Sequence, residues 1–301
     1  MAALPEPFAA RIAQIAADRQ SGASEILAAV IALLAEALAL TDGPAGTLAE
    51  AARAVCRAQP AMASVWNAAL QALAAEASPE RFARFARRVA RAPEALARFA
   101  AECFALDDPR TPLRLVTLSF SRSVVTAMTA LAASRQVRVS CCEGRPALEG
   151  RRLAALLAGE GIPITFYGDA AIGHALAAAD AVLVGVDAVS PEWFLNKSGT
   201  RMLAAAAAQQ GVPFHVAATR DKFVSHPVAA RLVVGEAAAA EIWDTPPAGV
   251  LVRNPYFEQT PLDLVTSLIT DVGVLGAGMV PDVCNESQDA AMLRAVAELT
   301  R

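Results

Sequence analysis

Two periods of hydrophobicity divide this chain. From the start to about Cys103, apolar residues recur three and four apart, the spacing that gathers them on one face of a helix. The pattern predicts helices over Phe8 to Asp18, Ser24 to Leu40, Gly46 to Cys56, Ala61 to Ala75, Pro79 to Arg91 and Pro93 to Leu106. Ser24 is placed to cap the second, and Ser78-Pro79-Glu80 sets a cap, a proline and an acid at the start of the fifth. That fifth helix also carries Arg81, Arg84, Arg87, Arg88 and Arg91, a basic ridge read as a solvated face because acids balance it nearby.

Asp107-Asp108-Pro109-Arg110-Thr111-Pro112 breaks the helical run, so a domain boundary is expected there, between 1–110 and 111–301. Beyond it the period changes. Leu113 to Leu118, Val137 to Cys141, Ile164 to Tyr167, Ala181 to Val184, Phe214 to Ala218 and Val250 to Val252 are short apolar runs, mostly separated by helix-like segments. Repeated βα units call for a parallel sheet covered on both faces. The expected class is therefore α/β, a helical N-terminal domain followed by a parallel-sheet domain.

Polar clusters follow the predicted strands. Asp187 lies just past the valine-rich run at Ala181 to Val184, and ligands of open α/β sheets bind outside the carboxyl ends of strands. Asn196-Lys197-Ser198-Gly199-Thr200 reads as a polar turn into a helix, offering N–H groups, an ammonium and hydroxyls to a phosphate. The first strand runs into Ser119, Ser121 and Arg122, the second into Cys142, Glu143 and Arg145 with Glu149 beyond, and the third into Asp169. Charges of both signs at one sheet edge fit a small ligand carrying phosphate and hydroxyls. The plainer alternative has Glu143 pairing with Arg145 and Asp169 capping a helix.

Composition narrows the classes. Only two of the 26 basic residues are lysine, Lys197 and Lys222, which marks them as positions wanting a compact ammonium. A net charge of −4 argues against a nucleic-acid partner. Five cysteines with an adjacent pair and no CxxC spacing suggest a reduced, cytoplasmic protein with neither a disulfide framework nor a metal site. The N-terminus has no basic region followed by an apolar core, so no signal peptide is expected, and Ile26 to Leu40 is too short and too interrupted for a membrane span. GxGxxG and GxxxxGK[ST] are both missing, and no cofactor is expected.

Specific segments then point to a family. TLSFSRSVV at 117–125, EGRPALEG at 143–150, GIPIT at 161–165, VLVGVDAV at 182–189, NKSGT at 196–200, GVPFHV at 211–216, Lys222-Phe223 and NPYFEQTPLDLV at 254–265 span nearly the whole second domain. In these the chain resembles the alpha, beta and delta regulatory subunits of eukaryotic translation initiation factor 2B, a family that also contains ribose-1,5-bisphosphate and methylthioribose-1-phosphate isomerases. Over 1–110 the echo is confined to Ser21-Gly22-Ala23-Ser24. The resemblance implies a helical N-terminal domain, a Rossmann-like C-terminal domain and a dimer through the latter. It also implies that the isomerases pair an acid at the position of Asp187 with a catalytic cysteine where this chain has Ser119, and carry an arginine where Ser21 stands. Serine at 119 resembles the regulatory subunits.

Aldose–ketose isomerisation needs an acid/base pair tuned near the working pH, which a thiol can supply and a hydroxyl without its own base cannot. His174, His215 and His226 offer no obvious relay to Ser119, and Cys142 is the one thiol placed to stand in, although a cysteine there is ordinarily a small buried apolar residue. Two readings follow. The first is a regulatory protein that binds a phosphosugar or nucleotide without efficient isomerase activity; the second is an active sugar-phosphate isomerase. Asp187 and Ser119 occupy the catalytic positions, with Ser121, Arg122, Glu143, Arg145, Asp169, Asn196, Lys197 and Lys222 as ligand contacts. A homodimer is expected through Asn254-Pro255-Tyr256-Phe257, Thr260-Pro261 and the amphipathic stretch Leu262 to Ile269.

Overall fold

The computed structural model describes residues 4–18, 22–40, 46–76, 78–105, 111–285 and 290–299. Ser21, and most of the expected domain boundary at 107–112, lie outside the described residues. Five helices come first: α1 (Glu6–Ala17), α2 (Ala23–Ala39), α3 (Thr47–Ala58), α4 (Ala63–Ala74) and α5 (Pro79–Cys103). Ala51, Ala52, Ala68, Ala69 and Ala72 are fully buried between them, so these helices pack through methyl groups around Leu33, Leu34 and Val55.

The periodicity predicts two helices where α5 runs unbroken through Pro93. Pro93 has no N–H for the Val89 carbonyl, a defect costing about 3 kcal/mol. Phe82 and Phe85 before it are buried in the core of the helical layer, and Leu96 and Ala100 after it in the core beneath the sheet. At about 1.5–3 kcal/mol for each large side chain, that packing outweighs the lost bond. The helix thus ties the two layers together.

The sheet layer then follows as β1 (Leu113–Leu118), α6 (Arg122–Ala132), β2 (Val137–Cys142), α7 (Glu149–Gly159), β3 (Ile164–Tyr167), α8 (Ile172–Leu176), β4 (Ala181–Val184), β5 (Ala188–Val189), β6 (Trp193–Lys197), α9 (Thr200–Gln210), β7 (Phe214–Ala217), α10 (His226–Ala229), β8 (Phe257–Pro261), β9 (Ser267–Ile269), β10 (Val274–Leu275), α11 (Val280–Asn285) and α12 (Ala290–Leu299). Seven strands form one sheet in the order β10-β9-β7-β4-β1-β2-β3, parallel except for β10. That is a doubly wound, Rossmann-like arrangement whose order reverses between β1 and β4, the place where such sheets bind ligands. A second, antiparallel sheet of β5-β6-β8 stands beside it. The chain's last helix returns to the first layer, where Met292, Ala295 and Leu299 join the core of α1 to α4.

Three local expectations fail. Val250 to Val252 forms no strand and is largely exposed; the parallel strand in that part of the chain is β9, fully buried beside β7. Asn196 and Lys197 do not begin a turn but end β6, paired with Glu258 and Phe257 of β8. The stretch Leu262 to Ile269 is a short 3-10 turn leading into β9, and Leu262, Val265, Leu268 and Ile269 are buried inside the fold, so it presents no exposed apolar face to a second copy. Among the described residues no helix is long and apolar enough to cross a membrane.

Candidate ligand-binding cleft

A cleft of about 760 Å³ opens at the carboxyl edge of the sheet around the β1/β4 switch point, closed on one side by the start of α2. Ser119, Ser121 and Arg122 enter it from the β1–α6 connection, Asp187 from the end of β4, Lys222 from the end of β7, and Glu149 from the start of α7. Asn196 and Lys197 reach it from β6, and Tyr256 from the residue before β8. Close backbone packing fixes these positions. Ser119 adopts φ 64°, a left-handed conformation uncommon outside glycine, and Gly144 lies against it so tightly that an added Cβ would stand 3.0 Å from the Ser119 Cα and Cβ. A Cβ at Gly185 would fall 2.2 Å from the Ser121 hydroxyl, so only glycine lets β4 pass beneath that serine.

Helices α2, α6 and α7 all start at the cleft, at Ala23, Arg122 and Glu149. A helix start carries a partial positive charge that favours an anion, while at α2 Glu25 already accepts the Gly22 N–H and at α7 the N–H groups of Gly150 and Arg151 bond the Glu143 and Leu148 carbonyls. Arg122, Arg151 and Arg152 add cationic side chains there, with Arg122 also 3.3 Å from Glu25 and Arg152 lying over the Phe120 ring. The expected anion donor next to Lys197 is already taken: Glu258 Oε1 accepts the N–H groups of Gly199 and Arg201 at 2.7 and 2.9 Å, capping α9.

Deeper in, charges are paired. The Lys197 ammonium is 3 % exposed, donates to Glu149 Oε1 at 2.8 Å and sits 3.6 Å from the centre of the Tyr256 ring. Lys222 donates to the Val186 carbonyl at 2.7 Å. Burial raises the Asp187 carboxyl above the usual carboxylate range, opposed by Lys222 and Lys197 and reinforced by Glu149. Asn196 spends its amide on the Thr200 hydroxyl, 2.9 Å away.

Of the expected site residues, Ser119, Ser121, Arg122, Asp187, Asn196, Lys197 and Lys222 line the cleft. Glu143, Arg145 and Asp169 do not. Asp169 instead accepts the backbone N–H groups of Gly144 and Arg145 at 2.9 and 2.7 Å, holding the loop after β2 in shape. Cys142 is fully buried and its thiol is pushed up to about 12, by burial first and then by Asp169 and Glu143. Neither it nor any of the three histidines lines the cleft. Glu149 and Tyr256 are absent from the expected contacts, although both stand within segments that carry the family resemblance, EGRPALEG and NPYFEQTPLDLV.

Comparison with known proteins fits this architecture. A family model described as the initiation factor 2 subunit family, IF-2B, matches residues 8–277. A methylthioribose-1-phosphate isomerase of Albidiferax ferrireducens is 36% identical over 173 residues, 54% of this chain and 48% of its own. A ribose 1,5-bisphosphate isomerase of Methanocaldococcus jannaschii is 32% identical over 151 residues, 49% of either chain. The chain thus spans about half the length of these curated relatives. The crystal structure of the Pyrococcus horikoshii translation initiation factor eIF-2B superposes with a TM-score of 0.74 at 26% identity, over 91% of this chain and 98% of that one. The eIF2B beta subunit of Chaetomium thermophilum, at 15% identity and a TM-score of 0.69 over 96% of this chain and 92% of that one, shares the fold.

Proposed function

The chain belongs to the initiation factor 2 subunit family, and from that premise we propose that it is a regulatory-type member which binds a phosphosugar or nucleotide at the β1/β4 cleft without efficient isomerase activity. The observation that carries this is the lining itself. Helix starts and arginines at the mouth suit a phosphate, and paired carboxylates and ammoniums within suit sugar hydroxyls, yet no thiol or imidazole lines the cleft to pair with Asp187. Calorimetry with ribose 5-phosphate and adenosine 5′-monophosphate tests it. Binding of at least one is expected, and silence from both would remove the reading. The isomerase alternative is favoured by one finding, the names of the curated relatives, and a turnover assay separates the two.

The reading includes a homodimer through the sheet domain. Support comes from the segment between α10 and β8, which carries Val233, Ile242, Trp243 and Leu251 into solvent, the last 80% exposed. Four large apolar side chains held in solvent by one segment supply surface that a second copy would cover. Light scattering at micromolar concentration is expected to give twice the chain mass of 31.2 kDa, and Leu251→Asp to shift the species toward monomer. A wild-type monomer would refute the dimer.

A further inference from the structure

We propose that the groove between α2, α5 and α6 is a second ligand site, and that it takes a small organic cation, an apolar body ending in one ammonium anchored on Asp221. The groove has a volume of about 420 Å³. Its apolar walls are Leu27, Ala28 and Ile31 of α2 and Val89, Ala90 and Pro93 of α5. Ala28, Ala90 and Pro93 are exposed at the rim, while the polar residues Ser64, Thr219 and Asp221 are buried. Mostly apolar walls around a few fixed polar groups are the usual make-up of a small-molecule site. Here the polar groups lie deepest, so a ligand enters charged end first and leaves its apolar body between the helices.

Charge decides the kind of ligand. Asp221 is 5 % exposed, and among the described residues its carboxylate makes no hydrogen bond or ion pair; only its main-chain carbonyl is engaged, by the Asn67 amide at 2.7 Å. A carboxylate taken out of water without a cation is costly, and neither of its oxygens is sealed inside the protein. The neighbouring cations are committed elsewhere. Lys222 donates to the Val186 carbonyl and attracts Asp187, and Arg122 pairs with Glu25 at 3.3 Å. Arg88, whose field reaches Asp221, stands outside the groove over the Phe85 ring. A ligand ammonium supplies the missing charge. The Val89 carbonyl, deprived of its helical N–H by Pro93, offers a second acceptor on the same wall. An anion would be repelled by Asp221, and one carboxylate among methyl groups is too few oxygens for a metal ion.

The test is calorimetry on the full chain with three probes of similar shape, 2-phenylethylamine, 2-phenylethanol and 3-phenylpropionate. Ribose 5-phosphate does not enter it, so its outcome stands apart from that of the cleft. The wild type should bind the amine at least about tenfold more tightly than the alcohol or the acid, the scale of a hydrogen bond between charged groups. Asp221→Asn keeps the shape and removes the charge, and should bring the amine down to the level of the alcohol. Ala90→Trp fills the groove from its exposed rim with Asp221 intact, and should abolish amine binding. A wild type that binds the amine no more tightly than the alcohol overturns the proposal, and so does undiminished amine binding in either variant. Should Asp221→Asn fail to fold, the wild-type preference and Ala90→Trp decide the matter between them.

Discussion

Ribose 1,5-bisphosphate and methylthioribose-1-phosphate should emerge unchanged from incubation with the wild-type protein, as followed by NMR for ketose formation. Moving a proton between adjacent carbons takes one group to remove it and another to return it. Asp187 can fill one role, since burial holds its carboxyl above the usual range and lets it carry a proton nearer neutrality than an exposed acid does. The second group is the difficulty. Ser119 brings a hydroxyl to the end of β1, no histidine lines the cleft, and Cys142 lies beneath with its thiol pushed up to about 12. Losing one member of an acid/base pair typically costs roughly 10²–10⁴ in rate, enough to leave turnover near background. Robust ketose formation would make the isomerase reading the leading one.

Three strands of the large sheet are legible residue for residue. β1, β3 and β4 are apolar runs bounded by turn residues, and β4, buried on both faces, shows the unbroken valine-rich pattern of a central parallel strand. β9 is not legible: three residues between Thr266 and Thr270 carry too little pattern, while Val250 to Val252 is equally apolar and merely exposed. The small sheet is beyond local reading, because β6 finds its partner in β8 some sixty residues on, and no short window records that pairing. Topology also explains the expected site residues that miss the cleft. Being at the carboxyl end of a strand brings a side chain to the correct edge, but Glu143 and Asp169 follow β2 and β3, which lie one and two strands outside the switch point. Asp187 and Ser119 follow β4 and β1, which form it.

Lys197→Ala should weaken binding of ribose 5-phosphate by about 1–3 kcal/mol, the range for losing a charge-assisted hydrogen bond, or roughly fivefold to 150-fold by calorimetry. The residue stands out in the sequence as one of two lysines among 26 basic residues. The ammonium sits over the Tyr256 ring at 3.6 Å and against a single oxygen of Glu149, two contacts that a compact point charge makes at once. Its removal would act twice. The cleft loses a cation, and Glu149 is left with neither oxygen paired, so the folded state should also lose about 1–3 kcal/mol in denaturant unfolding. The double variant Lys197→Ala with Glu149→Gln separates these effects: stability should largely return once the orphaned charge is gone, while affinity should not. Unchanged affinity in Lys197→Ala would place the ligand away from this lysine and against the cleft assignment.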